Sequence, residues 1–315
     1  MGRHCTACGH PQRTDLDAAL TDGAPYRNIM ARFGIRSTRT LTQHRAHLNG
    51  APVQGVVRSD ALSYLRSLPD DCVDLCVTSP PYWAKRTYGA GSEELGQERV
   101  PEEYLDRLLA IFAEARRVLR PSGWAAVNLG DTMSNQPGRG RGSAKRAISA
   151  AAQKASAIAP DQRQLDMPVK SATLIPWRFA YRMGREQRWV VRPHVTWHKL
   201  GHQPEHVNDR LTLASEPLLL FTPTGRSFYR HPRQDGASAN ETDVWSITVG
   251  RGTRGKGHPA VFPEALVERS IQRFCPAWGV VIDPFAGSGT VGDVATRLGR
   301  TFLGCDLVNW AAEDA

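Results

Sequence analysis

The stretch Val280-Val-Ile-Asp-Pro-Phe-Ala-Gly-Ser-Gly-Thr-Val291 joins a short apolar run, a glycine turn and the beginning of a helical pattern. A strand that passes through such a turn into a helix is the repeating unit of α/β proteins with a parallel sheet. Gly287 and Gly289 allow the backbone to approach a ligand closely, and the N-terminus of the following helix favours an anionic group. The Gly-Lys-Ser/Thr sequence of nucleoside-triphosphate loops does not follow, so the turn predicts a binding site of another kind.

Strand and helix patterns alternate along the chain from residue 53 onwards. This alternation predicts an α/β fold in which a parallel sheet carries helices on both faces. The predicted strands are Gln54–Arg58, Val73–Thr78, Gly123–Leu129, Trp189–His198, Pro217–Thr222, Trp278–Asp283 and Thr301–Asp306. The predicted helices are Pro101–Leu119, Leu174–Met183 and Thr290–Leu298.

A second motif, Thr78-Ser-Pro-Pro-Tyr-Trp83, follows the predicted strand Val73–Thr78. On its own it is also compatible with a Pro-Pro turn that merely ends a strand. Together with Asp283-Pro-Phe-Ala-Gly-Ser-Gly-Thr290 it resembles the motif pair of DNA amino-methyltransferases, which bind the target base and S-adenosylmethionine, respectively. The base motif comes first, as in the permuted beta group of that family. Further family segments occur in the expected order over about residues 53–310: 119–131, 175–180, 197–199 and 209–216.

The resemblance implies a Rossmann-like S-adenosylmethionine-dependent methyltransferase sheet and assigns roles around the cofactor. Asp283 would lie near the methionine amino group, Phe285 near the sulfonium, and Asp306 would accept hydrogen bonds from the ribose hydroxyls. Asp60 would meet the adenine amine, although it is equally suited to be the N-cap of a helix over 61–68. The implied cofactor residues are Asp60, Phe262, Pro263, Asp283, Pro284, Phe285, Gly287, Ser288, Gly289, Thr290 and Asp306.

The implied base pocket consists of Ser79, Pro80, Pro81 and Tyr82. Ser79 Oγ and the Pro80 carbonyl would accept hydrogen bonds from an exocyclic amine, and the Tyr82 ring would stack on a flipped base. In the family, Ser at the first position usually accompanies cytosine N4 methylation, so we favour cytosine over the alternative, adenine N6. No Pro-Cys nucleophile is placed here, which disfavours carbon-5 methylation. The alternative of another class is a DNA-binding regulator with an inactive methylase domain.

The formal net charge of +9 favours a polyanionic partner, and the family implies double-stranded DNA. Residues 134–165 are rich in Gly, Ser, Ala and Arg, which predicts a mobile basic loop. It would close over DNA, unless it is only an inserted segment. The candidate nucleic-acid contacts are Trp83, Arg86, Arg139, Arg141, Lys145 and Arg146. A cognate restriction endonuclease is a further expected partner.

Residues 1–48 form a separate module before a linker at 49–52, and residues 53–315 form the catalytic domain. Helical patterns at 14–20, 25–33 and 37–48 resemble a helix-turn-helix. The module also carries four residues of the types that bind zinc, and these predict a structural zinc site unless they are reduced cysteines and surface histidines. His10 is a competing ligand. The four predicted ligands are Cys5, Cys8, His44 and His47.

No apolar run approaches the roughly 18–20 residues that are needed to span a bilayer. The N-terminal Met1-Gly-Arg-His-Cys5 has no apolar segment after its basic residue, unlike a signal peptide. We therefore expect a cytoplasmic protein without a membrane partner.

Overall fold

The computed structural model describes residues 11–21, 24, 26–36, 41, 55–88, 91, 94–134, 167–202, 209–230, 241–249, 262–277 and 279–308. The chain divides into two compact units, Met1–Gln54 and Gly55–Ala315. The predicted linker 49–52, the four predicted zinc ligands and most of the predicted basic loop lie outside the described residues.

In the first unit, the two described helices are α1 (Arg13–Thr21) and α2 (Tyr26–Phe33). Gly34 follows α2 with a φ of 64°, and the Ile35 amide donates to the Met30 carbonyl, 3.2 Å away. This is how a helix ends in a left-handed residue, for which Gly is favoured. Of the predicted third helix, only Leu41 is described. A small apolar cluster fills this unit and contains Leu16, Leu20, Ile29, Phe33 and Leu41.

The second unit contains one sheet, whose described part has eight strands in the order β1-β8-β7-β2-β3-β5-β4-β6. The strands are β1 (Gly55–Arg58), β2 (Val73–Thr78), β3 (Leu119–Asn128), β4 (Val190–Leu200), β5 (Ser215–Thr222), β6 (Val244–Thr248), β7 (Val280–Asp283) and β8 (Thr301–Asp306). The helices are α3 (Ala61–Arg66), α4 (Pro101–Val118), α5 (Ile175–Gln187), α6 (Glu264–Phe274) and α7 (Thr290–Arg297). Strand β6 and helix α6 were not predicted. Within the described residues, no helix is long and apolar enough to cross a membrane.

The sheet is mixed, which corrects the expectation of a wholly parallel one. Strand β5 is antiparallel to both of its neighbours, β3 and β4, while the other described strand pairs are parallel. Antiparallel neighbours do not need a helical crossover between them. The described residues that connect β4 to β5 accordingly contain no helix. Strand β5 therefore begins at the edge of the sheet where its neighbours end.

Helices cover both faces of the sheet, as predicted. Along β2, Cys76 packs into the apolar layer that contains α3, α4 and α5, whereas Leu75 and Val77 pack into the layer that contains α6 and α7. Successive side chains of a strand point to opposite faces, so a strand covered on both sides is apolar at nearly every position. Both layers contain residues that are completely buried.

Candidate active site

The carboxyl ends of the parallel strands and the beginning of β5 meet at one edge of the sheet, around a cavity of about 810 Å³. In open α/β sheets, ligands bind at this edge, where the order of the strands reverses. The order reverses between the neighbouring strands β2 and β7. The strand that follows β2 in sequence, β3, lies on one side of this pair, and the strand that follows β7, β8, lies on the other. Thr78 at the end of β2 donates a hydrogen bond from Oγ1 to Asp283 Oδ1 at the end of β7, over 2.6 Å.

The Asp283 carboxyl group is almost completely buried, with 2% of the residue exposed. Its Oδ1 also accepts a hydrogen bond from the Phe285 amide, 3.0 Å away. Burial raises the pKa of Asp283 to about 7, and the nearby Asp306 carboxylate acts in the same direction. The hydrogen bonds from Thr78 and Phe285 favour the ionised form and oppose this rise. Burial thus outweighs the two hydrogen bonds in setting the pKa of Asp283.

The glycine turn takes left-handed backbone conformations, with φ values of 51° at Gly287 and 85° at Gly289. The Gly287 amide donates to Asp306 Oδ2 over 2.8 Å, and the Val308 amide donates to Oδ1 over 2.9 Å. The carboxylate that ends β8 is therefore positioned by the turn it faces. Gly289 forms the last position of the turn, directly before α7. Its neighbours Ser288 and Thr290 line the cavity.

Asp60 is the N-cap of α3 and also lies at the cavity, where the role beside the cofactor stays a prediction. Its Oδ1 accepts hydrogen bonds from the amides of Leu62 and Ser63, at 3.0 and 3.2 Å, and so caps α3. The same residue lines the cavity. The other predicted cofactor residues that line it are Phe262, Pro263, Asp283, Pro284, Phe285, Gly287, Ser288, Thr290 and Asp306.

The turn formed by Ser79, Pro80, Pro81 and Tyr82 lines the same cavity. Its geometry is held from outside, because Tyr104 on α4 donates a hydrogen bond from Oη to the Pro81 carbonyl over 3.0 Å. Two consecutive prolines restrict the backbone further. The turn and the Asp283–Thr290 segment thus face one enclosed space from neighbouring strands.

The Tyr82 side chain has close neighbours at its hydroxyl and along one edge of its ring. Its hydroxyl lies 2.9 Å from Glu216 Oε2 and 3.0 Å from Asn128 Oδ1. Burial raises the pKa of Tyr82 well above its usual value, and the Glu216 carboxylate acts in the same direction. Gly130 lies so close to the ring that a Cβ added there would be 2.3 Å from Tyr82 Cε2. Glu216 is also paired with Lys199 Nζ at the end of β4.

Comparisons with known proteins agree with this arrangement. A family model described as DNA methylase, which covers the N6 and N4 methyltransferases, matches residues 73–315. The chain belongs to this family. As a member, it is an S-adenosylmethionine-dependent DNA methyltransferase of the Type II modification class.

Two curated relatives match most of this DNA methylase. It is 36% identical over 285 residues to the Type II methyltransferase M.Cfr9I of Citrobacter freundii. The matched residues make up 86% of this chain and 90% of the relative. It is 37% identical over 257 residues to M.XycI of Xanthomonas campestris pv. cyanopsidis, with 79% and 81% covered.

Solved structures of DNA methyltransferases share the fold. The PvuII enzyme, named as cytosine-N4-specific, superposes with a TM-score of 0.61 at 21% identity, covering 82% of this chain and 83% of the other. A DNA modification methylase from Thermus thermophilus, solved with S-adenosylmethionine, has a TM-score of 0.55 at 25% identity, covering 81% and 88%.

The residues around the cavity fit this cofactor. A carboxylate at the end of β8 suits ribose hydroxyls, the buried Asp283 suits an amino group, and an aromatic ring suits a sulfonium cation. The volume also lies in the range of small-molecule pockets, about 300–1,000 Å³.

Trp83 is the one predicted nucleic-acid contact that the structure contradicts. Its side chain is completely buried, and Nε1 donates to the Glu98 carbonyl over 2.9 Å. A ring in this position supports the base-pocket turn from behind and has no surface to offer to DNA. Arg86 lines the cavity and stays a predicted contact. The other four, Arg139, Arg141, Lys145 and Arg146, lie outside the described residues.

The sequence segments 119–131, 197–199 and 209–216 resemble the family, but Asn128, Lys199 and Glu216 within them were not predicted as site residues. The structure brings Asn128 and Glu216 to the Tyr82 hydroxyl, and it brings Lys199 to the other oxygen of Glu216. Asp131, from the first segment, accepts hydrogen bonds from Thr173 and from the amides that begin α5. Asn128, Lys199 and Glu216 each lie at or next to the end of a strand. A polar residue at the end of an apolar strand is the sequence signal that indicates such a position.

Proposed function

We propose that this DNA methylase transfers a methyl group to the exocyclic N4 of a cytosine that is flipped out of double-stranded DNA at a specific site. The observation that carries the proposal is that the Ser79–Tyr82 turn and the Asp283–Thr290 turn line one cavity. Their strands are joined by the Thr78–Asp283 hydrogen bond. A flipped base and a cofactor would therefore meet inside one protein pocket.

The base-pocket turn would prepare the amine for attack. The lone pair of an exocyclic amine is delocalised into the ring, so the nitrogen is a poor nucleophile. Ser79 Oγ and the Pro80 carbonyl would each accept one amine hydrogen and turn the lone pair out of the ring plane. Tyr82 would stack against the base and hold it in this orientation. S-adenosylmethionine, when bound, supplies a methyl group activated by its sulfonium charge; its sulfur would leave as a neutral thioether, and the methylated nitrogen would lose one proton to solvent.

Four residues would orient the cofactor. Asp283 would accept from its amino group, and the Phe285 ring would face the sulfonium cation. Asp306 would accept hydrogen bonds from the ribose hydroxyls, and Asp60 from the adenine amine. All four line the cavity. Pro263, directly before α6, and its neighbour Phe262 would pack beside the methionine chain.

Cytosine is favoured over adenine because Ser79 occupies the first position of the base motif. The likeness in fold to an enzyme named as cytosine-N4-specific supports the same choice. Adenine N6 is the alternative within the same mechanism. A cognate restriction endonuclease is proposed as a partner, since the curated relatives are named as Type II methyltransferases.

The test is mass spectrometry of nucleosides from the DNA of cells that express the protein, beside cells that express Ser79→Ala. We expect N4-methylcytosine in the first DNA and a large reduction in the second, while both proteins bind S-adenosylmethionine in calorimetry. N6-methyladenine would overturn the choice of base. DNA without either product would contradict the proposal and favour the DNA-binding regulator.

Two proposals concern residues outside the described part of the chain. The predicted ligands Cys5, Cys8, His44 and His47 would hold a structural zinc ion. Elemental analysis of the purified protein should give about one zinc per chain, and a metal-free protein would remove the proposal.

The basic residues within 134–165 would contact phosphates, so their replacement should weaken DNA binding and its dependence on salt.

A further inference from the structure

Glu216 lies in an unusual place for a charged side chain of a covered sheet. It is the second residue of β5, the one strand of the described sheet that runs against its neighbours. Its position brings it to the edge where β3 and β4 end, and it lines the cavity there with Asn128 and Lys199. The side chains of Glu216 and Lys199 are only 20% and 18% exposed. A carboxylate this far from water needs partners for both oxygens.

Both oxygens of Glu216 have such partners. Oε1 is paired with Lys199 Nζ, which neutralises the charge. Oε2 lies 2.9 Å from the Tyr82 hydroxyl and 3.3 Å from Asn128 Nδ2. Asn128 Nδ2 also lies 3.2 Å from the Pro217 carbonyl, which ties the amide to β5. The phenol proton goes to the carboxylate in preference to the Asn128 amide oxygen, because hydrogen bonds to ionised acceptors are the stronger ones.

Gly130 lies close against one edge of the Tyr82 ring. A Cβ at Gly130 would lie 2.3 Å from Cε2 and 2.7 Å from Cδ2 of that ring. The ring is therefore confined by backbone along its edge and by Glu216 at its hydroxyl. The contact at the hydroxyl fixes the direction of the ring axis, and the edge contact with Gly130 limits rotation about that axis. Together they restrain the orientation that stacking on a flipped base requires.

We propose that Glu216 is a positioning residue, which holds the Tyr82 ring in the orientation for stacking on the target base, with Lys199 as its counter-charge. This inference rests on the proposed function, because it acts through the base that Tyr82 is proposed to clamp. A base tilted away from the cofactor loses transfer rate steeply, since misplacement by about 1 Å costs up to about 100-fold. The hydrogen bonds and the ion pair described for Glu216 go to Tyr82, Asn128 and Lys199, none of which is a predicted cofactor residue, so cofactor affinity should not depend on it.

The test is a double-mutant cycle between Tyr82→Phe and Glu216→Ala. The rate of transfer of labelled methyl groups to unmethylated genomic DNA is measured with enzyme in excess. We expect Tyr82→Phe and Glu216→Ala each to slow transfer by about 10- to 100-fold, and the double variant to be hardly slower than either. The two substitutions break the same contact, so their effects should not multiply. Fully multiplicative effects would overturn the proposal.

A conservative variant guards against loss of folding. Glu216→Gln retains an oxygen that accepts a hydrogen bond from Tyr82, so it should recover most of the rate that Glu216→Ala loses. This recovery is expected when Tyr82 is present and not in the Tyr82→Phe variant. Recovery in both backgrounds would show that Glu216 acts elsewhere. The matched control is Glu186→Gln, which removes an exposed carboxylate paired with Arg182 on α5, and which should leave the rate unchanged.

Two further readouts separate positioning from damage. The dissociation constant for S-adenosylmethionine should match the wild type in both Glu216→Ala and Glu216→Gln, and the melting temperature should match it in Glu216→Gln. The transfer rate should fall mainly in Glu216→Ala. A parallel loss of cofactor affinity would contradict the proposal. A wild-type protein that methylates no DNA would contradict the proposed function itself. A wild type that methylates DNA while the cycle is multiplicative would remove only the role of Glu216.

Discussion

Replacing Asp283 by Asn should make the cofactor-free protein more stable at neutral pH. The carboxyl group is buried at the end of β7, and its pKa is raised to about 7 from 3.8, first of all because burial disfavours the charged form. Asn has nearly the same shape, and its carbonyl oxygen can accept the hydrogen bonds from Thr78 and Phe285. The substitution therefore removes the cost of a buried charge and leaves the packing intact.

The magnitude follows from the two pKa values. The interval from 3.8 to about 7 corresponds to roughly 4 kcal/mol in the free energy of unfolding, at about 1.4 kcal/mol for each pH unit. Because the folded protein binds this proton more tightly than the unfolded chain, the contribution of Asp283 to stability is fully present below pH 3.8 and is lost as the pH rises to about 7. The advantage of Asn over Asp should therefore be near zero at pH 3.8 and largest above pH 7.

The assay is urea unfolding followed by tryptophan fluorescence, at pH 5 and pH 8, without cofactor. We expect Asp283→Asn to be more stable by a few kcal/mol at pH 8, and the gain at pH 5 to be less than half of that. The control is Asp293→Asn, at an exposed position in the first turn of α7, which should lose about 0.3–1 kcal/mol through the helix dipole. An Asp283→Asn protein that is less stable at pH 8, or that gains equally at both pH values, would refute the reasoning.

The same carboxyl group should make cofactor affinity depend on pH. The proposed partner of Asp283 is the amino group of S-adenosylmethionine, a cation that binds the ionised form. Below the pKa of about 7, binding has to release a proton, so affinity should rise by up to about tenfold per pH unit from pH 6 and level off above pH 7. Asp283→Asn should bind more weakly and without this dependence in calorimetry. A wild-type affinity that is constant from pH 6 to pH 8 would contradict the pairing.

Three further substitutions test the surroundings of the cavity. Gly130→Ala would place Cβ 2.3 Å from the Tyr82 ring, so transfer should fall while cofactor affinity is unchanged; equal transfer would show that the ring is free to move. Asp131→Ala removes the acceptor of the amides that begin α5, and thermal unfolding should show a loss of about 1–2 kcal/mol. Gly292→Ala would ordinarily favour a helix by about 1 kcal/mol, but its Cβ would lie 2.7 Å from the Phe302 ring, so we expect a net loss of stability of about 1–3 kcal/mol in urea unfolding.

The local part of the fold could be predicted because each element has its own pattern. Strands β2 and β8 have the predicted bounds, Val73–Thr78 and Thr301–Asp306, since both are apolar runs that end at a polar residue. Strand β6 was missed because its burial alternates between exposed and buried over only five residues, beside a tract without any pattern. Helix α6 was missed because it begins after Pro263 without a side-chain cap. Short elements that depend on the sheet for their apolar contacts leave a weak signal in sequence.

The candidate site could be predicted where its residues belong to one turn, and could not where they come from distant strands. Ser79 and Tyr82 share a motif, and so do Asp283 and Gly287, so their closeness follows from a single local conformation. Trp83 was assigned to DNA because it adjoins that motif. Its side chain is completely buried in the apolar core, however, and adjacency in sequence to the motif does not show this.

The pairing of Tyr82 with Glu216 depends on a fact that no local pattern contains, namely the direction of β5. Had β5 run parallel to β3, residue 216 would lie at the far edge of the sheet, away from the cavity. The reversal brings the beginning of β5 to the edge of the sheet where β2 ends, so Glu216 meets Tyr82 of the loop after β2 over a sequence separation of 134 residues. It also places a carboxylate among the ends of strands that otherwise carry the cofactor turn and the base turn. The antiparallel strand thereby supplies an anchor for the base pocket that the parallel strands do not provide, and the double-mutant cycle on Tyr82 and Glu216 tests a consequence of topology as much as of side-chain chemistry.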